Sequence, residues 1–135
     1  MVQDVSAFSD LNVAVLAGGL GTRLLPVVSD RPKALAEIHG RPFLQYLLDQ
    51  LSTAGCSRVV LCTGHLGEQI ERAFGKGYRN LQISYSRETR PLGTGGALRL
   101  ALPGLLSDPV LVMNGDSFCA TDLRSLWDWH CRCGS

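Results

Sequence analysis

No stretch of this 135-residue chain is apolar for long enough to span a bilayer. The opening, MVQDVSAFSD, carries two aspartates and no basic segment leading into a long apolar core, so it does not read as a signal peptide. The expected location is therefore the cytoplasm. Surplus charge is missing too: 13 Lys and Arg stand against 12 Asp and Glu, a net charge of +1. That balance gives no electrostatic reason to expect a nucleic acid or an anionic membrane as partner, and any charge-driven chemistry must be local. A disulfide framework is also absent, because five cysteines at positions 56, 62, 119, 131 and 133 are odd in number and scattered. Cys56 and Cys62 adjoin or interrupt apolar runs and are expected as small buried hydrophobes. The lone C-x-C of Cys131 and Cys133 near His130 lacks the further ligands and second knuckle of a zinc site. With 45% hydrophobic and 19% charged residues, and without repeats, low-complexity runs or linkers, residues 1–135 read as part of one globular domain.

What the sequence does contain is concentrated in Asn12 to Lys33, NVAVLAGGLGTRLLPVVSDRPK. An apolar run, Val13 to Leu16, leads into Gly18, Gly19 and Gly21, with Arg23 and Lys33 following. Such a strand can present flexible backbone N–H groups to an anion while two long cations reach it from the same segment. The segment is neither of the two common phosphate loops. Leucine stands where a dinucleotide fingerprint needs its third small residue, and no Gly-Lys-Ser/Thr follows as in a P-loop.

Downstream, strand-like and helix-like segments alternate. Ala34 to Ile38 reads as a short extended piece. Pro42 stands at an expected first helical position, and Phe43, Leu44, Leu47, Leu48 and Leu51 recur at helical spacing until Gly55. Arg58 to Thr63 reads as a strand buried on both faces. Leu66, Ile70, Ala73 and Phe74 mark a second helix, which Gly75 and Gly77 end. Leu81 to Tyr85 alternates as a third strand, followed by a polar loop through Leu92. The glycines at 93, 95 and 96 read as a loop opening a helix from Ala97 to Leu102, which Pro103-Gly104 terminates. Pro109 to Met113 is expected as a fourth buried strand. Leu123, Leu126, Trp127 and His130 share one face of a last helix capped by Thr121 or Asp122, with Trp129 off that face. This alternation predicts an α/β fold: an open, mostly parallel, Rossmann-like, doubly wound sheet with helices on both faces. In such sheets ligands bind beyond the carboxyl ends of strands, near the point where strand order reverses. Gly18 to Gly21, Gly64 to His65, Leu92 to Gly96 and Asn114 to Asp116 would all fall there.

Four blocks in order, LAGGLGTRL followed by PK, GRPFLQYLLDQL, PLGTGGAL and NGDSF, make the chain resemble the sugar-1-phosphate nucleotidyltransferases, above all the guanylyltransferases of heptose and mannose 1-phosphate. The blocks cover nearly the whole chain. The resemblance implies transfer of a nucleotidyl group from an NTP, GTP by the guanylyltransferase likeness, to a sugar 1-phosphate, with pyrophosphate released. It assigns nucleotide binding to Leu16, Ala17, Gly18, Gly19, Gly21, Thr22, Arg23, Gly93, Thr94 and Gly95. Arg23 would hold the β- and γ-phosphates, Lys33 would bridge the phosphates of both substrates, and Asp116 would bind Mg²⁺. Such residue types suit phosphate chemistry, since arginine's fork grips phosphate, lysine acts as a point charge, and a hard carboxylate shares Mg²⁺ with phosphate oxygens. Asn114-Gly115 is also a hairpin-turn signal, which would make Asp116 only a turn neighbour.

Other residues read more plainly. His65 is expected as a polar loop histidine, His130 as a core or edge histidine, and Arg79, Arg87 and Arg90 as a solvated rim. Family members carry a further segment with most sugar contacts and a second metal-binding aspartate, whereas no aspartate follows Asp128 here. The expected exposed strand edge would invite a partner or a second copy. Two other readings share these features: a nucleotide-binding or regulatory module without catalysis, and a cytidylyl-, thymidylyl- or molybdopterin-type relative with the same LAGG opening.

Overall fold

A computed structural model describes residues 3–4, 7–19 and 30–134 of the chain. Nine strands are described: β1 (Gln3–Asp4), β2 (Asn12–Leu16), β3 (Glu37–Ile38), β4 (Arg41–Pro42), β5 (Arg58–Thr63), β6 (Gly77–Tyr78), β7 (Leu81–Arg87), β8 (Ser107–Asp108) and β9 (Val110–Asn114). Four helices accompany them: α1 (Phe43–Ala54), α2 (Gly67–Phe74), α3 (Gly93–Ala101) and α4 (Leu123–Cys133). The main sheet has the order β6-β7-β5-β2-β9, parallel throughout except for β6, which pairs antiparallel with β7.

The chain moves outward from β2 to β5 and β7, then crosses back to place β9 on the other side of β2. Right-handed crossovers put helices on opposite faces when the direction of travel reverses. Accordingly α1 and α2 pack on one face and α3 on the other. The reversal beside β2 creates the switch point at which ligands sit in such sheets.

The two faces are unequal. On the first, Val13, Val15, Val59, Leu61, Leu81 and Ile83 meet Leu44, Leu47, Leu48 and Leu51 of α1, Ile70 of α2 and Leu123 of α4. The four α1 leucines are fully buried, and each such side chain contributes roughly 1.5–3 kcal/mol relative to exposure. Gly55 ends α1 in the left-handed region at φ 91°, donating its N–H to Leu51 O and Ser52 O. On the second face, among the described residues, Ala14, Val60, Cys62, Ala101 and Leu105 form the smaller buried cluster.

Several expectations need correction. Ala34 and Leu35 lie in a single 3-10 turn, Lys33–Leu35, instead of an extended piece, and Pro42 precedes α1 as its cap. Gly77 belongs to β6, and Ser86 and Arg87 still belong to β7. Ala73 is exposed, because α2 is short and buries only the stripe through Ile70. The glycines at 93, 95 and 96 form the first turn of α3 itself. The strand containing Val110 to Met113 is half-exposed, since it has a neighbour on one side only among the described residues. Leu126 is 46% exposed, while Leu123 is buried and Trp127 stacks on His130. Asp122, with Oδ1 accepting from the N–H groups of Arg124 and Ser125, is the cap of α4. Arg79, Arg87 and Arg90 are exposed, as expected of a rim, with Arg79 paired to Asp49 and Arg87 to Glu68. Asp122, being exposed, holds its carboxyl below the usual range chiefly through its hydrogen bonding to Ser125.

Candidate functional site

At the carboxyl ends of the parallel strands the ladder continues for one more step into three loops. Ala17 N–H donates to Cys62 O at 2.8 Å, Gly115 N–H to Leu16 O at 2.8 Å, and Glu88 N–H to Thr63 O at 2.9 Å. These bonds draw the loops together so tightly that two glycines are required. A Cβ on Gly115 would stand 2.6 Å from Leu16 O, and one on Gly64 would stand 2.9 Å from Gly18 O.

Between the loops lies a cavity of about 440 Å³. Leu16, Ala17, Gly18 and Gly19 form one side of it, the Asn114–Asp116 turn another, and the start of α3 a third. Free N–H groups and the positive end of a helix dipole favour an anion near the first turn of α3. Lys33 reaches in from its 3-10 turn, anchored by buried Ala34. Its Nζ donates to Asp116 Oδ2 at 3.1 Å, joining residues 83 positions apart. Both side chains remain solvent-accessible, 32% for Lys33 and 51% for Asp116. The bond from Lys33 is the main reason the Asp116 carboxyl sits below the usual carboxylate range, with Ser117 adding a further hydrogen bond. A surface ion pair of this kind adds little stability. Its value is as an electrostatic device: a cation and an anion held side by side at the mouth of a glycine-lined cavity. Asp116 is not a hairpin neighbour, since β9 runs parallel to β2 and leads on to α4.

Leu16, Ala17, Gly18, Gly19, Lys33, Gly93, Thr94 and Asp116 therefore lie around one cavity. Gly95 is not among its lining residues. Gly21, Thr22 and Arg23 lie outside the described residues. Glu88, Pro91 and Cys62 line the cavity without having been singled out, and Asn114 lines it from the expected loop. Glu88 had a faint signal, as the one acid between Arg87 and Arg90, three residues before Pro91. Cys62 had none beyond its apolar run. Burial, with the charge of Glu88 adding to it, pushes its thiol up to about 11. No group of three metal-ligating side chains occurs among the described residues. The one carboxylate at the Lys33 side suits a hard cation that takes most of its ligands from phosphate oxygens and water. His65 and Arg90 line a separate groove that shares Gly18, Glu88 and Pro91.

A parallel sheet whose strand order reverses beside a glycine-lined, cation-bearing cavity defines an open α/β protein with its ligand site at the switch point. The chain belongs to the nucleotidyl transferase family, whose sequence model matches residues 12–134. It is 42% identical over 120 residues to D-glycero-alpha-D-manno-heptose 1-phosphate guanylyltransferase of Aneurinibacillus thermoaerophilus, covering 89% of this chain and 52% of that protein. It is 39% identical over 125 residues to mannose-1-phosphate guanylyltransferase of Mycobacterium tuberculosis, covering 92% of this chain and 35% of that one. The crystal structure of HddC from Yersinia pseudotuberculosis complexed with GMP-PN superposes with a TM-score of 0.79 at 35% identity, over 89% of this chain and 54% of HddC. The chain thus spans about half the length of the heptose relative and about a third of the mannose relative.

Proposed function

We propose that this chain is the nucleotide-holding part of a sugar-1-phosphate guanylyltransferase, which joins GTP and a heptose or mannose 1-phosphate into a GDP-sugar. The observation that carries the reading is the Lys33–Asp116 pair, set in the cavity between Gly18-Gly19 and the start of α3. A phosphate oxygen of the sugar phosphate attacks the α-phosphorus of GTP, the α–β bridging bond breaks, and pyrophosphate leaves. The protein's share of such a reaction is positioning and charge neutralisation. Backbone from Leu16 to Gly19, with Gly21 and Thr22 beyond it, would hold the nucleotide together with Gly93, Thr94 and Gly95. Arg23 would grip the β- and γ-phosphates. Lys33 exchanges its bond to Asp116 for phosphate oxygens, lowering the repulsion between two anionic substrates. Mg²⁺ would be held by Asp116, supplying further neutralisation of phosphate charge.

The half-length coverage favours a second reading, in which the chain binds nucleotide but transfers nothing unless further polypeptide completes the sugar side. Five free cysteines fit a reducing cytoplasmic setting, and no described helix is long and apolar enough to cross a membrane. Calorimetry with GTP and Mg²⁺, followed by a pyrophosphate-release assay with mannose or heptose 1-phosphate, tests both readings. Binding with release supports transfer, and binding without release supports the second reading. Absence of GTP binding, or binding that Lys33→Ala leaves unchanged, would sink both.

A further inference from the structure

The chain between β9 and α4 runs over open surface. Every residue from Asp116 to Asp122 is exposed, whereas Gly115 before it and Leu123 after it are buried. Gly115 is fixed by its bond to Leu16 O, and Leu123 by the core of the first face. Among the described residues, two side chains from elsewhere in the chain hold this loop by hydrogen bonds. One is Lys33, at Asp116. The other is Gln50 of α1, whose Nε2 donates to Cys119 O at 2.8 Å and to Thr121 O at 3.1 Å.

Gln50 lies on a helix that the core fixes, between Leu48 and Leu51, both sealed from solvent. The two carbonyls turn its amide one way, since only the NH₂ group can donate to them. The other end of the amide, Oε1, is buried with no partner among the described residues. An unpaired buried acceptor costs stability that a leucine of similar size would not lose. Cys119 O also accepts the Thr121 N–H at 2.8 Å, and both carbonyls belong to exposed residues that water can serve. Stability therefore gives little reason for an amide at position 50.

Position gives a better one. Without the strap, the chain after Asp116 has no hydrogen-bonded fixed point before the α4 cap at Asp122. With it, only Ser117 and Phe118 stand between Asp116 and the anchored Cys119. A shorter tether has fewer conformations to lose when its end is set in place. Within that short segment Ser117 Oγ donates to Asp116 Oδ1 at 3.2 Å, while Lys33 holds Oδ2.

We infer that Gln50 is a positioning residue for Asp116: its amide straps the loop to α1 and so presets the carboxylate for the cation that accompanies the nucleotide. This rests on the nucleotide-transfer reading above, in which Asp116 shares Mg²⁺ with phosphate oxygens. Gln50 is not among the residues lining the cavity, so it acts through the loop alone. The precision matters because a reacting group misplaced by about 1 Å can cost on the order of a hundredfold.

Calorimetric titration of the 135-residue chain with GTP, once in Mg²⁺ and once in EDTA, separates positioning from folding. Wild type should bind GTP more tightly in Mg²⁺. Gln50→Leu should lose roughly tenfold in Mg²⁺ and stay within about twofold of wild type in EDTA. Its melting temperature should rise or stay within about 3 °C. Gln50→Ala, which removes the same amide, should show the same loss, and Thr53→Ala, at an exposed position of the same helix, none. Asp116→Asn should lack the Mg²⁺ gain already, so adding Gln50→Leu to it should change GTP affinity by less than about twofold. Equal losses in Mg²⁺ and EDTA, or losses that add in the double variant, would overturn the positioning role by showing that the amide only holds the fold. Wild-type affinity of Gln50→Leu in Mg²⁺ would overturn it too, and would leave the nucleotide-transfer reading standing. A wild type that gains nothing from Mg²⁺ removes this role together with the metal role of Asp116. One that binds no GTP removes the nucleotide-transfer reading itself.

Discussion

Between α1 and the sheet, Leu44, Leu47, Leu48 and Leu51 are sealed from solvent, whereas at the carboxyl ends of the same strands Lys33 and Asp116 keep 32% and 51% of their side chains in water. The first region is made of branched apolar side chains that can be replaced only at the expense of a cavity. The second is made of glycine backbone, a helix start and an exposed ion pair, which contribute little to holding the chain together. Stability and chemistry thus draw on different atoms of the same strands. Val13 and Val15 of β2 face the core, while Ala17 to Gly19, just beyond them, face the cavity.

Five probes, the second a pair of variants, test that separation. Leu47→Ala should have the largest effect, about 2–5 kcal/mol lost in urea denaturation, with GTP affinity retained by the fraction still folded. Lys33→Ala and Asp116→Asn should do the reverse. Pyrophosphate release by an assembly competent for transfer should fall by roughly 10²–10³, as when one electrostatic contact to a transition state is removed, while the melting curve stays nearly in place. A melting transition lowered as far as that of Leu47→Ala would show that the rim is structural after all. Gly115→Ala is the variant that should join the two regions. Its Cβ would fall 2.6 Å from Leu16 O, so the ladder must shift, at about 1–3 kcal/mol, and GTP binding should weaken with it.

The fourth probe is pH. Burial, then the charge of Glu88, raises the Cys62 thiol from an ordinary 9.0 to about 11. The unfolded chain therefore ionises at lower pH than the folded one. This contribution is fully present below about pH 9 and is lost as pH rises toward 11. Denaturation midpoints measured across that window should drop less in Cys62→Ala than in wild type. Smallest is Val112→Lys on β9, where the side chain is already 43% exposed: stability should move by no more than about 0.5 kcal/mol, and self-association seen by sedimentation should decrease.

Much of the core was legible because it repeats. Leucines at 44, 47, 48 and 51 are spaced three or four apart, and that period specifies one buried helix face wherever the helix packs. The runs Val13 to Leu16 and Arg58 to Thr63 read as buried strands, and both lie inside the main sheet with a neighbour on each side. The same logic failed for Val110 to Met113, because an apolar run does not say how many neighbours a strand will have. Leu126 and Ala73 fitted a helical stripe in sequence, yet both are exposed in the structure. Glu88 was passed over because an acid between two arginines looks like surface, and only its position beside Gly18 and Gly64 makes it part of a site.

The sequence alone determined the alternation of strands and helices, the glycine-rich turn after β2, and the residue types suited to phosphate. These are local matters, set by periodicity, by backbone freedom and by side-chain chemistry over a few residues. The tertiary structure decided which of them meet. Lys33 and Asp116 touch across 83 residues because β9 crosses back to lie beside β2, and Glu88 lies at the other side of the same cavity because β7 does not. Strand order is set by the packing of the whole sheet, which no short stretch of sequence contains.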